Sequence, residues 1–208
     1  MRIKTVIAFL LAILLLAGCA SQSAETQPPK EQPQGIGTHY ALIQIRDYGT
    51  IRIRLEGDVA PITVQNFIDL ANSGFYNGLT FHRIIEGFMM QGGDPNADGT
   101  GGSDKNIKGE FSANGVKNPQ SHTRGAVSMA RQGYNPFTGE QNYDTASSQF
   151  FIVHQDSPFL DGQYAVFGYV TEGMDIVDAI CAAAQPTDNN GTIAKDKQPI
   201  IGDVEIYQ

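Results

Sequence analysis

Between Tyr40 and Tyr207 the chain is heavily punctuated. Apolar residues come in short runs, and most runs stop at glycine, asparagine, aspartate or proline before a long helical period can develop. Ile51-Arg52-Ile53-Arg54-Leu55 alternates with period two, the pattern of a strand with one face buried. Tyr40–Ile45, Phe81–Met90 with a break at Glu86-Gly87, Ala126–Ala130, Gln149–His154, Tyr164–Val170 and Ile200–Tyr207 read as further strands. Only two stretches carry helical spacing. Pro61 opens the first, where its missing N–H costs nothing; Val64, Phe67, Ile68 and Ala71 form its stripe and Gly74 ends it. Gly173–Ala184 is the second, with Met174, Val177, Ile180 and Cys181 on one face. Seven or eight short strands with two helices specify a mainly β domain, and a closed antiparallel barrel leaves the fewest open edges.

Two long segments remain without periodicity, Gly92–Gly125 and Gln132–Ser148, and loops of that length usually line a site. The chemistry they could carry is narrow. Asp94-Pro95-Asn96-Ala97-Asp98-Gly99 matches half of a calcium loop, but Lys105 stands where the bidentate glutamate belongs, so it reads as a turn. Gly99-Thr100-Gly101-Gly102 lacks the Lys-Ser/Thr and the helix that a phosphate cradle requires. His39, His82, His122 and His154 have no ligand spacing, so neither a metal nor another cofactor is expected. Cys181 on an apolar helix face reads as an inert thiol. What is left is a set of apolar walls and donors: Arg83, Phe88, Met89, Gln91, Gln149, Phe151, Phe159 and Leu160. Phe88 or Phe151 alone could equally be core. Burying Arg83 and Gln91 without a purpose would be costly.

The first residues carry a different message. Arg2 and Lys4 precede an apolar run, Val6–Leu16, too short for a comfortable membrane span, and Leu16-Ala17-Gly18-Cys19 closes it. That ending resembles the lipobox of bacterial lipoproteins. The resemblance implies a signal peptide over residues 1–18, cleavage before Cys19, and acylation of Cys19 by two fatty chains, enough for stable membrane anchoring. Residues 19–37 are rich in Ser, Gln, Pro and Glu and read as a flexible tether, leaving 38–208 as the folded domain. The expected location is extracytoplasmic, on the cell membrane or the periplasmic side of a two-membrane envelope. Removing Arg2 and Lys4 from the 14 basic residues leaves 12 against 22 acidic ones, a net charge of −10 that argues against nucleic acid. With Cys19 acylated, Cys181 has no partner for an intramolecular disulfide, and nothing in the chain demands more than a monomer.

The motifs F-H-R-I-I-E-G-F-M-M-Q-G-G-D (81–94), G-T-G-G (99–102), G-A-V-S-M-A (125–130), S-Q-F-F-I (148–152), F-L-D-G (159–162) and V-F-G (166–168) occur in an order that resembles the cyclophilin family of peptidyl-prolyl isomerases. The resemblance implies an eight-stranded closed barrel capped by two helices. It implies Arg83 as the catalytic arginine and Gln91 as the glutamine that helps fix it. Phe88, Met89, Phe151 and Leu160 match the walls around the substrate proline. Ala130 and Arg131 match the segment that binds the residue before proline, with Gln149 beside it and Tyr164 at the pocket edge.

The implied reaction suits that equipment. Amide resonance gives the X–Pro bond a rotational barrier of roughly 18–20 kcal/mol, and uncatalysed exchange takes about tens to hundreds of seconds. A guanidinium aimed at the proline nitrogen favours the twisted, pyramidal form over the planar amide. Proline-containing polypeptides are the implied substrates. Phe159 stands where many members carry Trp, so cyclosporin-type cyclic peptides are expected to bind weakly. Gln132–Ser148 is longer than usual and lies next to the site in sequence; it either extends the substrate groove or is a solvated excursion. A module that grips proline segments without turnover, and a surface adhesin on an isomerase fold, are the rival readings.

Overall fold

The computed structural model describes residues 33–134, 136–139 and 141–208. The expected signal peptide, Cys19 and most of the tether lie outside those residues. Contacts of the folded domain begin just ahead of Thr38: the Ile36 amide donates to the Gly57 carbonyl at 3.1 Å, and the Gly37 amide to Asp58 Oδ1 at 2.9 Å.

Eight strands and two helices follow in chain order: β1 (Thr38–Ile45), β2 (Gly49–Glu56), α1 (Pro61–Asn72), β3 (Thr80–Ile85), β4 (Met89–Asp94), β5 (Ala126–Met129), β6 (Phe150–Val153), β7 (Val166–Glu172), α2 (Met174–Ala183) and β8 (Ile201–Tyr207). All pairings are antiparallel, in the order β3-β4-β6-β5-β7-β2-β1-β8. The alternation in β2 does what period two requires. Ile51, Ile53 and Leu55 are buried beside Ala41 and Ile43 of β1, while Arg52 and Arg54 face outward to Glu172 and Glu56.

The expectation of a closed barrel needs correction. The edge strands β3 and β8 meet at one isolated bridge, Thr80↔Ile200, among the described residues. Phe81 donates to the Pro199 carbonyl at 2.9 Å and Ile201 to the Leu79 carbonyl at 2.8 Å, but Pro199 has no N–H to give back. A continuous ladder cannot form there, and the sheet remains a curled, open half-barrel. The Gly92–Gly125 segment also starts later than its composition suggested, because Gly92–Asp94 complete β4.

Helix α1 fills the interior. Phe67 packs against Tyr76, Phe150 and Phe167 with ring centroids 5.1, 5.5 and 5.4 Å away. The helix begins after Ala60, which has no side chain able to cap it. Glu110 does so from the distant loop, accepting from the Ile62 amide (3.1 Å), the Thr63 amide (2.8 Å) and the Thr63 hydroxyl (2.7 Å). Burial pushes the Glu110 carboxyl above its ordinary value, and those hydrogen bonds oppose the shift. Replacing Glu110 by Ala should leave these donors unpaired and cost about 1–3 kcal/mol, read from the urea midpoint. Glu110→Gln keeps one acceptor and should lose less.

In β4 and β6 neighbouring residues part company. Met90, Phe150 and Ile152 point into the main core, whereas Met89, Phe151 and Val153 join Ala126 and Val166 in a second apolar cluster on the sheet's other face. Phe88, Ala130, Leu160 and Tyr164 pack against that outer cluster. The candidate site is built there.

Candidate active site

Arg83, Gln91, Phe151 and Ser128 occupy facing positions on four adjacent strands, in the registers Arg83↔Gln91, Gln91↔Phe151 and Ser128↔Phe151. Cross-strand neighbours share a face, so the pairing delivers a guanidinium, an amide and an aromatic ring to one row. Beside that row is a cavity of about 110 Å³ lined by Arg83, Phe88, Met89, Gln91, Ala130, Arg131, Phe151, Leu160 and Tyr164. The sequence-predicted residues therefore gather in one place, with two exceptions. Gln149 lines an adjoining polar groove of about 250 Å³, which shares Gln91, Ala130 and Arg131 with the smaller cavity. Phe159 lines neither; it is 69% exposed and lies against Phe88 on the rim, centroids 5.5 Å apart.

Arg83 is held from several sides. Its Nε donates to the Asn190 carbonyl at 2.7 Å, and Nη1 lies 3.5 Å from both Met89 Sδ and Gln91 Oε1. Its guanidinium carbon sits 5.9 Å from the Phe88 ring centroid. Burial pulls Arg83 below the usual arginine range, with Tyr164 and Asp188 opposing; a guanidinium starts so high that it stays charged at neutral pH. Gln91 is fixed in turn. Its amide donates to Gln149 Oε1 at 2.9 Å, and the Gln149 amide donates to the Gly101 and Gly99 carbonyls at 2.7 and 3.1 Å. The Gly-rich turn that failed as a phosphate cradle thus ends a chain of amides leading to Arg83.

Asp94, the first residue of the half-matched calcium pattern, is committed to backbone. Its carboxylate accepts from the amides of Asn96, Asp98 and Gly99 at 2.8, 3.1 and 2.5 Å. Burial pushes the Cys181 thiol up to about 12, leaving essentially no thiolate at neutral pH.

Asn190 was not foreseen. It contributes a main-chain carbonyl, which no side-chain pattern announces. Its loop lies flat on β3: Ile84 donates to the Gly191 carbonyl at 2.9 Å, and Arg83 bridges Thr192. Gly191 has φ +86, and a Cβ there would stand 2.5 Å from Ile85 Cγ1 and 2.7 Å from the Ile84 carbonyl. Only glycine permits so close an approach in that conformation.

The long Gln132–Ser148 segment divides into two parts. Its returning limb is tied down: Asp144 Oδ1 accepts from the Gly109 amide (3.0 Å) and Asn114 Nδ2 (2.6 Å), and Ile107 bridges Ala146. Tyr143 meets Phe111 edge-on, and Arg131 lies over Phe111, Tyr143 and Tyr164 at 5.5, 5.1 and 4.7 Å. Gln132, Thr145 and Ser147 line the polar groove, so the limb extends it. The outer turn faces solvent, with Phe137 96% exposed.

A family model described as "Cyclophilin type peptidyl-prolyl cis-trans isomerase/CLD" matches residues 40–205. Peptidyl-prolyl cis-trans isomerase B of Bacillus subtilis (strain 168) is 47% identical over 138 residues, covering 66% of this chain and 86% of the relative. A peptidyl-prolyl cis-trans isomerase of Helicobacter pylori is 45% identical over 145 residues, 69% of this chain and 80% of its own length. Among solved structures, a Cryptosporidium parvum cyclophilin type peptidyl-prolyl cis-trans isomerase is similar with a TM-score of 0.69 at 28% identity, covering 83% of this chain and 99% of that one. The same protein in the presence of the dipeptide ala-pro gives 0.68 at 28% identity, covering 81% and 99%.

Proposed function

The chain belongs to the cyclophilin-type peptidyl-prolyl cis-trans isomerases and is an enzyme of that class; from that premise we propose that it turns X–Pro bonds in unfolded or secreted polypeptides outside the cytoplasm, held to a membrane by lipid on Cys19, and so assists their folding. The observation that carries the mechanism is a charged fork fixed beside a small cavity walled on its other sides by Phe88, Met89, Phe151 and Leu160. The substrate proline ring enters between Phe88, Met89, Phe151 and Leu160, which bury its methylenes and hold it still. Arg83, anchored through Nε, turns its remaining N–H groups toward the proline nitrogen. Its 3.5 Å contacts to Met89 and Gln91 are long for hydrogen bonds, so substrate takes those donors without breaking a strong interaction.

As the preceding carbonyl swings out of plane, the proline nitrogen regains its lone pair and pyramidalises. A donor that meets this lone pair is complementary to the twisted state and indifferent to the planar amide. A rate gain near a millionfold needs about 8 kcal/mol. One donor supplies only part of that; ring capture and desolvation supply the remainder. Gln91, itself held by Gln149, positions the fork directly, and Ala130, whose N–H is committed to the Gln149 carbonyl at 2.9 Å, meets substrate main chain through its own carbonyl. No proton changes hands. Phe159 on the rim has no indole N–H to offer a cyclic peptide such as cyclosporin, consistent with weak binding.

The anchor is tested with the full chain. Cys19→Ser is expected to move the protein from the membrane fraction to the soluble fraction while the exchange rate on an Ala-Pro peptide is kept. Retention of the variant in the membrane fraction would remove the lipid from the proposal.

A further inference from the structure

Behind the proline pocket lies a buried cluster that the reaction does not use. His122 is 1% exposed and Ser128 0%. The His122 amide and its Nδ1 both reach Asp161 Oδ1, at 2.7 and 2.8 Å, and Nε2 lies 3.0 Å from Ser128 Oγ. The carboxylate can only accept, so Nδ1 carries the hydrogen and, in the neutral ring, Nε2 accepts from the Ser128 hydroxyl. The imidazole lies parallel to Phe151 (centroids 5.9 Å apart, planes 13°) and edge-on to Tyr164 at 6.4 Å. The His122 carbonyl accepts from the Ser157 amide at 2.8 Å, at the start of the short turn Pro158–Leu160.

Each partner belongs to a different wall of the pocket. Asp161 follows Leu160, Ser128 lies on the strand that leads to Ala130, and Phe151 and Tyr164 line the pocket directly. His122 lines neither the proline pocket nor the polar groove, yet one ring joins all of these walls. We propose that His122 is a positioning residue for proline capture: by tying Asp161 to Ser128 and backing Phe151, it sets where Leu160, Phe151 and Tyr164 stand around the proline ring. This role rests on the isomerase reading above.

Protonation bears on the same geometry. A hydrogen on Nε2 turns the Ser128 contact from acceptor to donor. Burial holds His122 below the ordinary imidazole range, Asp161 opposing. Asp161 is the charged group acting on the ring and Tyr164 the titratable ring facing it; Ser128, Phe151 and Ser157 bring no charge. Because the folded value is depressed, the neutral, correctly bonded ring persists in the folded protein below the ordinary imidazole value of about 6.5; this group's share of stability begins to fall below that pH, and the geometry itself is lost only as pH drops through the lower folded value.

The test uses NMR exchange on an Ala-Pro peptide, with melting temperature measured alongside. His122→Phe keeps the ring and removes both bonds. It should lower kcat/KM on the order of tenfold to a hundredfold, the cost of a small misplacement, mainly through kcat and at temperatures well below its melting point. Asp161→Ala should act in the same direction, while Asp161→Asn, which keeps an acceptor at the same point, should restore most of the activity. Wild-type kcat/KM should fall on the acid side of the ordinary imidazole range, in step with the titration of the His122 ring resonance, and His122→Phe should lack that step. A folded His122→Phe with unchanged kcat/KM overturns the proposal. If that variant does not fold, Asp161→Ala with unchanged kcat/KM overturns it equally. A wild-type protein that fails to exchange the peptide would instead refute the isomerase reading.

Discussion

Arg83→Ala should lower kcat/KM for an Ala-Pro peptide by about a hundred- to a thousandfold, the usual loss when one preorganised donor is removed from a developing lone pair or charge. Exchange spectroscopy on the peptide measures it without a coupled protease. The fold should survive, because the Arg83 side chain lies at the cavity mouth and its row of the sheet is held by main-chain bonds. Residual activity should remain, since the apolar walls still capture the ring. Arg83→Lys should recover little: an ammonium cannot hold the Asn190 carbonyl and face the cavity at once, as the planar fork does. An Arg83→Ala enzyme with wild-type exchange would take this residue out of the reaction.

Phe67→Ala should cost about 3–5 kcal/mol, a large part of an ordinary domain's stability. Phe67 is fully buried, and it joins α1 to β6 and β7 of the curled sheet through Phe150 and Phe167. Its removal leaves a void beside the residue that precedes Phe151. Urea unfolding should show a lower midpoint with little change in slope. A loss under about 1 kcal/mol would mean that the surrounding rings collapse into the space, contrary to the density expected of a packed core.

What could be read from the chain follows the range of the forces involved. Period two in Ile51–Leu55 is local, so that strand and its buried face were legible, whereas the split between Met89 and Met90 emerged only with the fold. Arg83 and Gln91 stood out because their burial would otherwise be expensive. The open seam was not legible, since it depends on Pro199 meeting Phe81 across the fold. Nor was the Glu110 cap on α1: Ala60 offers no capping signal, and the acceptor arrives from far away in sequence. His122 looked like one of four scattered histidines, because the spacing rules that find metal sites do not find a ring stacked behind a pocket. Within Gln132–Ser148 the returning limb lines the polar groove and the outer turn faces solvent. The limb is fixed by Asp144, the turn is solvated, and no local pattern distinguishes them.

The bond from Arg83 to the Asn190 carbonyl joins residues 107 positions apart. Contacts of such separation close late, after the loops between them have lost their freedom. Arg83 is therefore made long before the residue that aims it. A growing chain carries its arginine, its phenylalanines and its glutamine well ahead of their anchor, and β8, whose start meets the same edge at a single bridge, comes later still. The molecule cannot work on the prolines of its own unfinished chain with an oriented fork. An oriented fork exists only once the loop carrying Asn190 has docked on β3, so that competence waits on a tertiary contact and not on the arginine itself.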